Sequence, residues 1–266
     1  MKQQGFKLLA AASLSLVAAS AAQAVTVTQW DATLTSRWTA SSAGVTRTPS
    51  TLSWGTPLTS AGQSSLVIAN PAAPQLVDTF IGGGTPPAAF TASGSSLTHN
   101  NHVVTGTTLT NATLTATLNL AAHTPASAGP GTLPPLSFNI GFKETPNQRP
   151  CVVTNSPTPC SDIFVLVGGF MNQAFTYDAQ QYFVNIFPTA GGVLSVLPNA
   201  LCTAAGQAAG CFGFTTPENQ STSLAFGFTI STLPLTTTVA EPSVLALAGL
   251  ALFGMGALRV RTRRQG

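Results

Sequence analysis

Thr113-Leu114-Thr115-Ala116-Thr117-Leu118-Asn119-Leu120 decides the fold. Leu114, Ala116, Leu118 and Leu120 fall on one side of an extended chain, with Thr113, Thr115, Thr117 and Asn119 on the other. Successive side chains of a strand point to opposite faces, so this strict alternation is the pattern of a half-buried strand. Phe138, Ile140 and Phe142 alternate with small or polar neighbours, as do Leu224, Phe226, Phe228 and Ile230. Residues 163–167 are apolar throughout, which predicts a strand buried on both faces. Residues 182–187 and 193–197 are further strand candidates. Between them stand breakers: Gly82-Gly83-Gly84-Thr85-Pro86-Pro87, Gly129-Pro130-Gly131, Pro134-Pro135 and Gly191-Gly192. No stretch between Val25 and Val239 carries a helical period. Short strands separated by turn signals predict an all-β fold, an antiparallel β-sandwich-like single domain. A body of about 215 residues is long enough for one such core.

The two ends of the chain have a different composition. Lys2 and Lys7 precede an apolar stretch, residues 8–22, and Ala22-Gln23-Ala24 is an A-x-A cleavage site. Residues 1–24 therefore read as a signal peptide, with signal peptidase as a partner and a mature start at Val25. At the other end Ala240-Glu241-Pro242 is followed by 16 uncharged residues, 243–258, and then by Arg259, Arg261, Arg263 and Arg264. As a helix this run covers about 24 Å, and flanking residues and snorkelling arginines bring it close to the ~30 Å hydrocarbon core. Lys and Arg are retained on the cytoplasmic side, so the tail is expected inside and the body outside. The resulting division is 1–24 signal peptide, 25–238 exported body and 239–266 transmembrane sorting segment.

The order Glu-Pro, short apolar helix, arginine cluster and chain end resembles the PEP-CTERM sorting signal of Gram-negative bacteria. Ala240 stands where that motif has its first proline, while Glu241 and Pro242 are kept. The resemblance implies recognition by an exosortase, a membrane protease that removes the tail and releases or transfers the body. It also implies export across the inner membrane, a transient anchor in the membrane through the C-terminal helix, and a final place at the cell surface or outside the cell.

Both end segments distort the charge. Without them the body keeps Arg37, Arg47, Lys143 and Arg149 against Asp31, Asp78, Glu144, Asp162, Asp178 and Glu218, a net charge near −2. No basic face remains for nucleic acid. With ten charges in the body, its solvation falls to Ser, Thr, Asn and Gln, which suits adhesion or a matrix role more than catalysis.

Cys151/Cys160 and Cys202/Cys211 form two pairs, each with a spacing of nine. Four cysteines permit three connectivities. Export to an oxidising compartment favours disulfides, and the equal local spacing favours two loop staples, Cys151–Cys160 and Cys202–Cys211. Zinc is the alternative, without C-x2-C spacing or a histidine nearby in sequence.

The conspicuous polar cluster is Leu97-Thr98-His99-Asn100-Asn101-His102. On a strand His99 and His102 point to opposite faces, and Asn100-Asn101 invites a turn. The cluster reads as a structural turn held by side-chain hydrogen bonds, with a metal or ligand site as the alternative. No G-x-S-x-G, H-E-x-x-H or P-loop accompanies it. Glu144 and Asp162 flank the first cysteine loop and are able to hold calcium together with backbone carbonyls. Separated acids are more often a solvated rim, so no catalytic residue, metal ligand or cofactor is assigned.

Thr98, His99 and Asn101 also resemble the Thr-His-x-Asn signature of a family of exported PEP-CTERM proteins. Residues 142–147, Cys151, Cys160 and residues 161–164 resemble its central block, and with Cys202 and Cys211 the likeness covers residues 30–230. The resemblance implies export, disulfides and a shared fold, and no activity. The expected function is a non-enzymatic cell-surface or extracellular-matrix (biofilm) protein associated with exopolysaccharide. The alternative is a secreted polysaccharide-binding module or glycoside hydrolase, which needs two carboxyls about 5–10 Å apart in a groove.

Overall fold

The computed structural model describes residues 25–236, apart from residues 83, 127–129, 133–134, 154–159, 169 and 190–192. The expected signal peptide, with Ala22 and Ala24, lies outside the described residues. So does the expected sorting segment, with Ala240, Glu241, Pro242 and its four arginines. Among the described residues no helix is long and apolar enough to cross a membrane.

The chain is built almost wholly of strands. The first eight are β1 (Gln29–Ser41), β2 (Thr46–Arg47), β3 (Thr51–Trp54), β4 (Thr56–Pro57), β5 (Ser64–Ala69), β6 (Gln75–Phe80), β7 (Ala92–Asn100) and β8 (Val104–Thr105). There follow β9 (Asn111–Thr124), β10 (Pro130–Thr132), β11 (Leu136–Lys143), β12 (Asp162–Val167), β13 (Phe170–Tyr177), β14 (Gln180–Pro188) and β15 (Ser195–Val196). A short helix, α1 (Asn199–Ala204), precedes β16 (Phe212–Thr216) and β17 (Ser221–Ser231).

One layer runs β15-β16-β12-β11-β9-β1-β6 and is antiparallel throughout, with β10 beside β9. The other runs β13-β14-β17-β7-β5-β3-β2, also antiparallel. The layers join where β6 meets β17 in a parallel pair, Thr79 beside Ile230 and Phe80 beside Ser231. Side chains from both inner faces share the same clusters. Trp30, Leu118 and Phe138 of the first layer meet Tyr182, Val184, Phe228 and Ile230 of the second. Trp38, Phe142 and Phe164 meet Trp54, Leu66, Leu97 and Leu224.

Trp30 centres the first cluster. Its ring meets Phe175, Tyr177 and Tyr182 edge-on at 5.8, 5.0 and 5.1 Å, the geometry the aromatic quadrupole favours. Its Nε1–H donates to Thr79 Oγ1 at 2.9 Å. The Val27 N–H donates to the Tyr182 hydroxyl at 2.8 Å, tying down the chain two residues after the predicted mature start. Val25 itself is exposed.

The apolar run 163–167 has a third cluster behind it. Ile163 and Val165 face Leu197, Leu201, Cys202 and Ala205, so α1 covers the outer side of β12. This six-residue helix departs from the expectation of a chain without helix. Pro198 starts it, and no helical period is legible in so short a segment. The candidate strand 193–197 shrinks to Ser195–Val196, and Pro130 and Gly131 belong to β10 rather than to a break. Cys151 is bonded to Cys160 and Cys202 to Cys211. Two disulfides point to an oxidising compartment, extracellular or periplasmic.

Candidate functional site

The site is assembled by register. β11 and β12 pair with Lys143 opposite Ile163, so the next rung sets Glu144 beside Asp162. On its other side Asp162 pairs directly with Thr216 of β16. Directly opposed residues project to the same face, so Glu144, Asp162 and Thr216 stand in a row across three strands. The turn Pro217-Glu218-Asn219-Gln220 then carries the chain from β16 to β17, from one layer to the other. Asn219 takes φ 59° there, a left-handed conformation that asparagine tolerates. This turn brings Glu218 onto the row: one oxygen from each of Glu144, Asp162 and Glu218 lies within 4.8 Å of the others.

The Thr-His-x-Asn segment packs against the same corner. The expected turn over residues 98–102 is corrected here: residues 98–100 are the end of β7, paired with Ser221–Ser223 of β17 and with residues 65–67 of β5. Because His99 and Asn101 are two apart, both turn inward, and neither has exposed surface. Thr98 turns the other way, its hydroxyl 2.7 Å from that of Ser223. Asn101 clasps the turn that carries Glu218: its N–H donates to Gln220 O at 2.9 Å and its Nδ2–H to Thr216 O at 2.8 Å. His99 stacks on Trp54 at 5.9 Å and meets Phe142 edge-on at 5.0 Å. Trp54, the last residue of β3, donates from Nε1 to Glu144 Oε2 at 2.7 Å. His102 is fixed by its backbone, through a reciprocal pair of bonds with the Ser64 hydroxyl.

Electrostatically the corner is unusual. Asp162 is fully buried and Glu218 buried, while Glu144 is half-buried. Asp162 Oδ1 accepts from the Thr145 N–H at 2.8 Å. Its carboxyl is nonetheless held well above the usual carboxylate range, by burial first and the adjacent Glu144 second. Burial likewise raises Glu144, the Trp54 hydrogen bond offsetting part of the effect. Glu218 is pushed up to about 7 by burial and then by Glu144. His99 goes the other way, down to about 3, because burial and then His102 penalise its cation. Several buried polar atoms here have no protein hydrogen-bond partner, among them both His99 nitrogens, Asn101 Oδ1 and Thr216 Oγ1. Among the described residues the one side-chain ion pair is His123 with Asp31, far from this corner in the sheet, so no lysine or arginine neutralises the three acids.

Chemically, three close carboxyls without a cationic partner are able to share protons or to bind a hard cation. They are poorly placed to reach a polymer, since Asp162 has no exposed surface. Glu144 and Asp162 were legible as a pair in the sequence; Glu218, Thr216 and Trp54 were not. Glu218 had no signal beyond a lone acid in a turn, and Trp54 is 90 residues from the carboxylate that it contacts. No protein-family model and no characterised protein matches this chain.

Proposed function

We propose that this is an exported, non-enzymatic β-sandwich protein of the cell surface or extracellular matrix, whose C-terminal segment is removed by an exosortase. One observation supports the non-enzymatic half most: at the polar corner between the two layers, His99, Asn101 and Asp162 are devoid of exposed surface. A glycoside hydrolase needs its two carboxyls about 5–10 Å apart in an open groove, with room for sugar and water. Here one oxygen from each acid lies within 4.8 Å of the others, and two of the three acids are buried. The Thr-His-x-Asn motif is then part of the fold's frame. The two disulfides support the exported half, since such bonds persist only under oxidising conditions.

Exopolysaccharide is the partner that the surface suits. The outer face of β1, β9 and β11 sets Thr35 opposite Thr117, Thr33 opposite Asn119 and Asn139 opposite Thr113. This field of hydroxyls and amides, with Arg37 among them, offers hydrogen bonds to sugar hydroxyls. Fractionation of cells with and without the exosortase tests the reading. Loss of the protease should move the protein from the surface or medium to the membrane fraction, with its arginine tail intact. An unchanged distribution, or turnover of a polysaccharide by the purified body, would overturn it.

A further inference from the structure

We infer that the corner formed by Glu144, Asp162, Glu218 and Thr216 is a binding site for a divalent cation, calcium by its chemistry, closing the junction between the two layers. The inference stands on the geometry of the corner and does not depend on the export reading.

Three observations carry it independently. The first is placement: β11, β12 and the turn from β16 to β17 bring three carboxyls together, and their oxygens fall within 4.8 Å of one another. Two ligands of one calcium ion, at about 2.3–2.6 Å each, sit no more than about 5 Å apart. The second is Thr216. It has no exposed surface, it opposes Asp162 directly on β16, and its hydroxyl has no protein partner. A buried threonine hydroxyl normally finds an acceptor, commonly a backbone carbonyl. By register this one shares the face of Asp162 and Glu144. The third is charge: no lysine or arginine among the described residues pairs with these acids. Ionised together, they would set three negative charges side by side, two of them on buried groups, which is strongly unfavourable without a cation.

The donor set chooses the ion. Every candidate ligand is oxygen and three are carboxylates, which suits calcium or magnesium and neither zinc nor copper. Carboxylates able to bind through one or both oxygens, spread over a turn and two strand ends, match the larger and more irregular coordination of calcium. Asn101 and Trp54 hold the frame, the first by clasping residues 216 and 220, the second by fixing Glu144 Oε2. Proton sharing among the acids is the rival account, and the two differ in what they predict.

The test uses protein purified from the cell envelope, stripped with EDTA and dialysed at pH 7.5. Calcium chloride at 10 mM is expected to raise the melting temperature by about 5–10 °C, assuming a dissociation constant near 10⁻⁴ M, within the range of extracellular sites. Terbium, a luminescent stand-in for calcium, should be sensitised by Trp54 and displaced by excess calcium. Asp162→Asn should weaken calcium binding at least tenfold, yet leave the stripped protein as stable as stripped wild type or more so, since it removes a like charge. Where Asp162→Asn fails to fold, Glu218→Gln on the turn gives the same readout. Asp78→Asn on the surface should leave the calcium response unchanged. The inference is overturned if folded wild type shows neither a calcium-dependent shift nor sensitised terbium. It is equally overturned if Asp162→Asn or Glu218→Gln keeps the full shift. Failure here leaves the export reading untouched, because fractionation does not depend on calcium.

Discussion

Replacing His99 by alanine separates a framework histidine from a catalytic one. The imidazole has no exposed surface and lies between the Trp54 face and the Phe142 edge. Truncating a buried aromatic to alanine loses about 3–5 kcal/mol for phenylalanine or tryptophan. Imidazole is smaller, and burying two nitrogens without protein partners has already cost the wild type, so the loss should be about 2–3 kcal/mol at pH 7.5. In a domain of this size that is roughly 4–12 °C of melting temperature.

The same substitution has a pH signature that a generic cavity lacks. His99 titrates at about 3 in the fold and near 6.5 when unfolded, the folded value being the lower. As pH falls below 6.5 the unfolded chain takes up a proton that the fold refuses, so wild type loses stability progressively down to about pH 3. By pH 5 the loss should be roughly 2 kcal/mol, and alanine at this position does not incur it. The gap between wild type and His99→Ala should therefore narrow from about 2–3 kcal/mol at pH 7.5 to about 1 kcal/mol or less at pH 5. Glu144, Asp162 and Glu218 are present in both proteins, and their contributions largely cancel in the difference. Urea unfolding followed by tryptophan fluorescence at the two pH values measures it. A gap that stays constant or widens would refute the neutral, buried histidine. Intact stability with loss of a hydrolytic activity would refute the framework role altogether.

Other expectations follow from particular contacts. Intact mass of the surface or released form should start at Val25 and end near residues 240–242; a mature form still carrying Arg263 and Arg264 would rule out tail removal. Replacing Cys202 and Cys211 together by alanine should lower stability by roughly 2–3 kcal/mol, because a loop of about ten residues loses its closure and α1 loses its tether over β12. The protein should still fold, and a double variant that does not would mean that α1 is part of the folding core. Tyr182→Phe strands the Val27 N–H in a buried position and should remove about 1–3 kcal/mol, read as an earlier urea midpoint with unchanged slope. An unaltered midpoint would show that the ladders to β6 and β9 and the Thr79 bonds hold the N-terminal segment without it.

How much of this was legible depended on which side chains did the burying. β9 and β11 announce themselves because leucine and phenylalanine alternate with threonine and asparagine, and both strands appear where that pattern puts them. β1, the spine of the first layer, buries Trp30, Ala32, Leu34, Ser36 and Trp38 in strict alternation. Alanine and serine on the inner face and arginine on the outer dilute the contrast, and the strand went unread. β7 is fainter still, since two of its inward residues are Ser95 and His99 rather than large aliphatics. Ser95 is tolerated inside because its hydroxyl finds Ser36 and the Asn70 amide, from β1 and the end of β5. Such a residue is placed by a partner far along the chain, and no local pattern contains it. The acid corner is the extreme case of the same rule. Glu144 and Asp162 meet because two strands pair in one register; a shift of one residue would turn one of them to the opposite face. Glu218 joins them only because its turn crosses between layers, and Asn101 holds that turn from just past the end of β7, more than a hundred residues earlier. Periodicity reports which way a side chain faces, whereas a site needs to know what it faces, and in a sheet that is set by pairing.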